Sequence, residues 1–434
     1  MQLLRRAART FGPEEAAADP ALNDPATTFL PVPRLEALLA TRSEEAIAEA
    51  VGADPWLHNY YRSIWEKANR RITLATYPWH QAYAIADVCN ARCPFCSNAY
   101  ETSGIFDVAR IERFAKIIRF ARTLILTGGE ATVHPKFREI LRAIQPVIDR
   151  RCFFSLITNG ARLERFLPDL LATPVSFAVS LNAATPATHH DVMRLGPQAF
   201  DRIVSVVRDL RAQGRYVALS MVVTRRNLAE VPAFIDLAND LDASAIYVRT
   251  MNPLTERSRK TTPAGFRVLS GYPDLHPSTH PEFERLRAEA AASILRSAIP
   301  VSCAPDQWSV PTVPADAASK AVVLPAKRLE ECTTAGTLIR PEELEFVDPA
   351  DPYHRSAPYP CDHVYYALQM LDQSNSYAAC CFMRRVPGYD PVGLFAKDDF
   401  LQLRNSPAFV ELRRRLQEGP LLPSCLTCTY QLGY

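Results

Sequence analysis

The sequence predicts an α/β protein: a parallel sheet with helices packed outside it. Three observations carry that prediction. Short apolar, β-rich runs occur at 82–86, 123–127, 152–157, 175–181, 217–223 and 245–249. Amphipathic helical stretches lie between them, at 108–121, 136–148, 162–171, 199–212 and 229–241. The breaks are short, and regular alternation of strand and helix calls for parallel pairing.

Residues 1–80 read as a helical N-terminal extension. The stretch 19–33 is rich in Pro and Ala and is expected to be irregular, while 33–50 and 55–70 carry helix formers with scattered apolar positions. No strand-rich winged module is legible there. The alternating strand–helix core is expected over 81–250. Its first strand is bounded by Pro78 and Asp87 and runs into Cys89-Asn-Ala-Arg-Cys93-Pro-Phe-Cys96. Thiolates are soft ligands that suit zinc, copper(I) and iron–sulfur clusters. A local trio is short of the four ligands that zinc or a standard cubane takes. Either a fourth ligand comes from afar, or one metal position stays open to substrate.

Each later strand also ends in polar or glycine-rich sequence. The second runs into Thr127-Gly128-Gly129-Glu130-Ala131, where paired glycines permit close backbone approach and a carboxylate can accept from an ammonium group. The third ends in Thr158-Asn159-Gly160, a common turn signal. The fourth ends in Ser180-Leu-Asn182, with Arg194 a dozen residues on as a natural carboxylate partner. His189 and His190 read as decoration of a helix start. Residues 251–360 are Pro-rich, with one helix at 281–298, and are expected to complete or cover the mouth of the strand–helix core. Cys303 and Cys332 read as structural. The tail, 361–434, holds Cys361, Cys380, Cys381 and the pair Cys425-Leu-Thr-Cys428. That is the ligand inventory of a four-iron, four-sulfur cluster, and equally of a four-cysteine zinc ribbon.

Composition narrows the classes. Lys+Arg 49 against Asp+Glu 47 makes no electrostatic case for nucleic acid or an anionic membrane. No apolar run nears the roughly 18 residues of a spanning helix, so a cytoplasmic protein is expected. In that compartment the eleven cysteines read as metal ligands and buried thiols.

The loop C-x3-C-x-aromatic-C, then G-G-E, then a distal C-x2-C resembles the radical S-adenosylmethionine (SAM) superfamily with a SPASM/twitch-type extension. Departures are Ala131 for the usual Pro and Asn375 for a Gly before the second tail cysteine. The resemblance covers 82 to about 250 and 361 to 428. It implies a partial (β/α)6 barrel with the helical lead-in before it and a small cysteine-rich SPASM/twitch-like domain after it. It also implies that Cys89, Cys93 and Cys96 bind a 4Fe-4S cluster with one open iron, beside which SAM binds. Phe95, Gly128, Gly129, Glu130, Ser180, Asn182 and Arg194 would contact SAM, with Glu130 on its amino group and Arg194 on its carboxylate. Cys361, Cys380, Cys425 and Cys428 would hold an auxiliary 4Fe-4S cluster; the spacing favours Cys380, although Cys381 remains open. An external one-electron donor such as flavodoxin or ferredoxin is a further implied partner. The implied activity is reductive cleavage of SAM to a 5′-deoxyadenosyl radical, followed by hydrogen abstraction from an unactivated C–H bond. The unseen winged module tilts the expected substrate toward a small polar metabolite of sugar or aminocyclitol type. A peptide is the alternative, and a zinc-binding interaction protein the reading of a different class.

Overall fold

The computed structural model describes residues 37–41, 43–96, 105–251, 275–303, 308, 363–370, 376–378, 393–394 and 400–418. Six strands follow the expected alternation: β1 His80–Ala86, β2 Thr123–Gly128, β3 Phe153–Thr158, β4 Ser176–Ser180, β5 Val217–Val223 and β6 Ala245–Thr250. Each pairs in parallel with the next. Short strands extend both edges: β7 Val301–Ser302 joins β6, and β8 Ala367–Met370 joins β1, again in parallel. Beyond β8 lie β9 Ser376–Ala378 and β10 Gly393–Leu394, both antiparallel. The order is therefore β10-β9-β8-β1-β2-β3-β4-β5-β6-β7, with eight parallel strands between two ends. The parallel α/β sheet expected from the alternation is the sheet observed, and it is open.

Period-two alternation sorts the strand residues onto two faces. Leu124 and Leu126, Phe154 and Leu156, Phe177 and Val179, Leu219 and Met221, Ile246 and Val248 are buried on one face. Helices cover that face because their apolar residues recur at helical spacing. In the helix Phe137–Ile144 the buried set is Phe137, Ile140, Leu141 and Ile144. The other face, which lines the barrel interior, is smaller, more polar and less buried: Thr127, Ala178, Ser180, Ser220, Tyr247 and Arg249.

Two regions outside the alternation close on this core. The helix Pro55–Ala68 starts at Asp54, whose carboxylate accepts from Trp56 N and Leu57 N, with Pro55 at the first helical position. The tail helices Phe400–Arg404 and Pro407–Glu418 grip the segment that links this helix to β1. Asn405 exchanges two hydrogen bonds with the Leu74 backbone, at 2.6 and 2.8 Å. Arg413 Nε donates to Ile72 O at 2.6 Å, and the buried Arg404 donates to Thr76 O and Tyr365 O. The tail thus supplies a strand and two helices to the barrel's own core. Cys361, Cys380, Cys425 and Cys428, the expected ligands of an auxiliary cluster, lie outside the described residues, as do Cys332 and Cys381.

Candidate active site

The cysteine loop leaves β1 at its carboxyl end, where βα-barrels carry their chemistry. It is seated by the end of β2. Gly129 N donates to Ala86 O at 2.7 Å and Glu130 N to Val88 O at 3.0 Å. Contact this close admits no side chain. A Cβ on Gly128 would stand 2.1 Å from Ala86 O, and one on Gly129 2.3 Å from Asp87 O. Gly128 also has a φ of 149°, which L side chains avoid. The paired glycines therefore serve the chain's own backbone: they let β2 press against the start of the loop.

Glu130 is buried, and four donors surround its carboxylate. Oε1 accepts from Thr132 N at 3.0 Å, Thr132 Oγ1 at 2.6 Å and Thr158 Oγ1 at 2.7 Å. Oε2 accepts from Asn159 N at 2.7 Å. The residue expected to meet an ammonium group thus also ties the end of β2 to the end of β3. Asn159 carries that tie onward, since its Nδ2 donates to Asn90 Oδ1 at 2.8 Å and approaches Cys89 Sγ at 3.8 Å.

The thiols differ in their surroundings. Cys89 Sγ accepts from Ala91 N at 3.3 Å in addition to the Asn159 amide. The Cys93 thiol is buried and lies 3.5 Å from Met193 Sδ and 3.9 Å from Met193 O. Burial pushes the Cys89 thiol up to about 11, with the Glu130 and Cys96 charges adding to the effect. Burial raises Cys93 further, and the charges of Cys96 and Cys89 oppose its ionisation as well. The three thiols lie in electrostatic reach of one another, and burial holds two of them protonated. Phe95 packs, partly buried, against the same core.

Met193 links the loop to the fourth strand. Arg92 N donates to Met193 O at 3.0 Å, and Asn182 Nδ2 lies 2.8 Å from Met193 Sδ. Asn182 Oδ1 accepts from Val222 N at 2.7 Å, so both ends of the side chain are used within the protein. Ser180 instead faces the interior, with Ser220 Oγ 3.3 Å from its hydroxyl. Arg194 ends the helix Pro186–Met193 in the left-handed conformation, φ 56°. Its guanidinium and that of Arg226 share Asp191 Oδ1, at 3.1 and 2.8 Å. His189 is buried, and burial depresses it to about 4. His190 Nδ1 lies 2.6 Å from Leu195 O. Both histidines belong to the helix, as the sequence suggested.

The loop Cys89–Cys96, Gly128–Glu130, Ser180 and Arg194 therefore gather at the carboxyl ends of β1, β2 and β4. Thr158 and Met193 are contacts that sequence reasoning did not single out. Thr158 was visible within T-N-G, whereas nothing about Met193 in sequence announces a contact with a cysteine a hundred residues away.

Residues 83–238, which include the cysteine loop and the strand ends around it, match the family profile of the radical SAM superfamily. These residues are a radical SAM domain. The domain is 30% identical over 177 residues to a probable GTP 3′,8-cyclase of Saccharolobus islandicus, covering 39% of this chain and 56% of that protein. It is 24% identical over 230 residues to the subtilosin biosynthesis protein AlbA of Bacillus subtilis, covering 49% and 50%. The chain thus spans about half the length of these curated relatives. Among solved structures, Streptococcus suis SuiB with S-adenosylmethionine superposes at TM-score 0.53 and 14% identity, over 89% of this chain and 80% of that one. SuiB has also been solved with its precursor peptide SuiA.

A radical SAM domain is an enzyme domain that uses a 4Fe-4S cluster and SAM, and the donor set here suits them. Among the described residues no three His, Cys, Asp or Glu side chains close on a single-ion site. A cubane asks for less convergence, because each iron takes one thiolate. The cluster's positive irons would favour the thiolate form of the buried thiols, with release of their protons on binding. Among the described residues no helix is long and apolar enough to cross a membrane.

Proposed function

We propose that this radical SAM enzyme modifies a peptide. One observation about the barrel supports the reading: the order of the described strands has two ends, β7 and β10, so the sheet does not close on itself. An open side gives an extended chain a way across the interior face. The names of AlbA and of SuiB with its precursor peptide point the same way. The tilt toward a small metabolite, drawn from the sequence, finds no comparable support in the fold.

In this reading Cys89, Cys93 and Cys96 would hold the cluster and leave one iron free to bind SAM. Bound together, cluster and SAM supply a 5′-deoxyadenosyl radical, the group that removes hydrogen from substrate. The chain's own residues bind and orient. Gly128, Gly129 and Glu130 fix the wall beside the SAM amino group. Arg194, held by Asp191, meets the SAM carboxylate with a charge-assisted bond. Ser180 would offer its hydroxyl, and Phe95 its partly buried ring, to the nucleoside part of SAM. The substrate carbon must come within about 3–3.5 Å of the radical carbon. We assign that task to the interior row of Ser220, Tyr247 and Arg249 together with 251–360. Cys361, Cys380, Cys425 and Cys428, all within the tail 361–434, hold an auxiliary cluster, and an external one-electron donor reduces the enzyme.

The reading is tested by incubating reduced enzyme with perdeuterated candidates: precursor-type peptides, sugars and aminocyclitols. Mass spectrometry of the 5′-deoxyadenosine then shows where deuterium comes from. Transfer from a peptide is expected. Transfer only from a sugar or cyclitol would overturn the peptide reading in favour of a small metabolite.

A further inference from the structure

We propose that Asn159 is a positioning residue that sets the reduction potential of the cluster by aiming an amide N–H at Cys89. The inference rests on the reading of Cys89, Cys93 and Cys96 as cluster ligands. Its basis is that the orientation of Asn159 is fixed at its backbone N–H and at both polar atoms of its side chain. Glu130 Oε2 accepts from its backbone N–H at 2.7 Å. Ala161 N donates to Oδ1 at 3.1 Å, and only an oxygen can accept there. The assignment of oxygen and nitrogen in the amide is thereby settled, and Nδ2 must face the cysteine loop. Its two hydrogens have two acceptors, Asn90 Oδ1 at 2.8 Å and Cys89 Sγ at 3.8 Å. The residue is only 6% exposed, so water does not compete strongly for these bonds.

An N–H dipole pointed at a ligand sulfur stabilises whichever state carries more negative charge. For an iron–sulfur cluster that is the reduced state, and hydrogen bonds to sulfur are among the levers that set cluster potentials. Cys89 is the favoured target because Ala91 N–H already points at it. Cys93 faces the Met193 thioether and carbonyl. Two N–H groups, from Ala91 and Asn159, thus point at the Cys89 corner of the site. Glu130 takes part at one remove: by holding Asn159 N it keeps the amide on that corner. A merely structural Asn159 would shape the turn after β3 and leave the potential untouched.

The experiment uses the full chain reconstituted anaerobically with iron and sulfide, as wild type, Asn159→Ala and Asn159→Asp. The Asp variant keeps the shape and the oxygen that accepts from Ala161 N, but turns a second oxygen toward Cys89. Iron and labile sulfide are assayed, and the midpoint potential is read by EPR-monitored titration on the signal that changes when SAM is added. Iron content equal to wild type is expected, with the midpoint shifted to more negative potential in Asn159→Ala and further still in Asn159→Asp. Midpoints equal to wild type in the loaded variants would overturn the inference. Loss of the cluster from both variants would also overturn it, by making Asn159 a folding residue of the loop. A wild-type chain that takes up no iron would refute the ligand reading instead.

Discussion

Glu130 separates two roles that a motif match alone would merge. If its carboxylate acted only on the SAM ammonium group, Glu130→Ala would weaken SAM binding and leave the fold alone. In the structure the same substitution strips acceptors from Thr132 N, Thr132 Oγ1, Thr158 Oγ1 and Asn159 N, all in the buried seam between β2 and β3. A buried donor left without a partner costs about 1–3 kcal/mol, so a loss of several kcal/mol is expected once some groups relax. Chemical denaturation of the apo chain checks this without any cofactor. Glu130→Gln keeps one carbonyl oxygen and should lose less than half as much. A stable Glu130→Ala chain with weakened SAM affinity would return the residue to a purely ligand-binding role. His134 illustrates the opposite case. Lys136 N donates to Nδ1 and Nε2 lies 2.8 Å from Phe106 O, so the ring is a neutral brace held below its usual pKa by burial.

Among the secondary-structure elements, the repeating core was the most legible part of the sequence. The six strands and the helices between them announced themselves because each strand buries one face under an amphipathic helix, so periods of 2 and 3.6 alternate along the chain. Of the helix Pro186–Met193 only a start near His189 and His190 was legible, although its own start signal lies earlier. Thr185 accepts from Thr188 N at 3.3 Å and Pro186 sits at the first helical position, but His189, Val192 and Met193 make too short an apolar stripe to stand out. The flanking strands β7 and β8 are two and four residues long, below what any period can show. Within the site the cysteines and the G-G-E run were legible because their chemistry lies in residue identity. The Met193–Cys93 and Asn159–Cys89 contacts were not, because they depend on how loops from different strands meet. Two outcomes follow from that meeting. Gly129→Ala should prevent the loop from seating, and iron bound to the chain should fall by about half if two clusters are present, four irons for each cubane. Met193→Ala removes a buried side chain and should cost about 2–5 kcal/mol. Met193→Leu should restore stability while leaving the sulfur contact to Cys93 absent. Full iron content in Gly129→Ala would show that the close approach of β2 is dispensable.

In the molecule as a whole, the described tail is part of the barrel. Arg404 is fully buried and donates to Thr76 O and Tyr365 O, joining the lead into β1 to the lead into β8. Arg404→Ala would bury two carbonyls without that donor. Hydrogen bonds to a charged group are worth about 1.5–3 kcal/mol each, so a loss of about 3 kcal/mol or more is expected in urea titration. The same junction is expected to sense acid. His80 opens β1 and pairs in register with Ala367 of β8. Its ring centroid lies 6.5 Å from that of His363 and 6.4 Å from that of Tyr366, while Trp79 stacks on Tyr366 at 4.5 Å. Burial, reinforced by the charge of His363, depresses His80 to about 3. Burial, with Lys67 adding to it, depresses His363 to about 4. Both folded values lie below the unfolded value of about 6.5, so the unfolded chain binds more protons as the pH falls. Stability from this pair is full above about 6.5 and is lost progressively toward about 4, where the folded His363 begins to accept its own proton. Buried His134, His189 and His276 carry the same sign, so some acid sensitivity belongs to them. The measurement is the urea midpoint at about pH 7.5 and about pH 5 for wild type and for a His80→Gln/His363→Gln chain. Wild type should lose more on acidification than the double variant, and hydrogen exchange should show the excess loss concentrated in β1 and β8. An equal drop in both chains would assign the acid sensitivity to groups such as His134, His189 and His276 and leave the β1–β8 junction indifferent to pH.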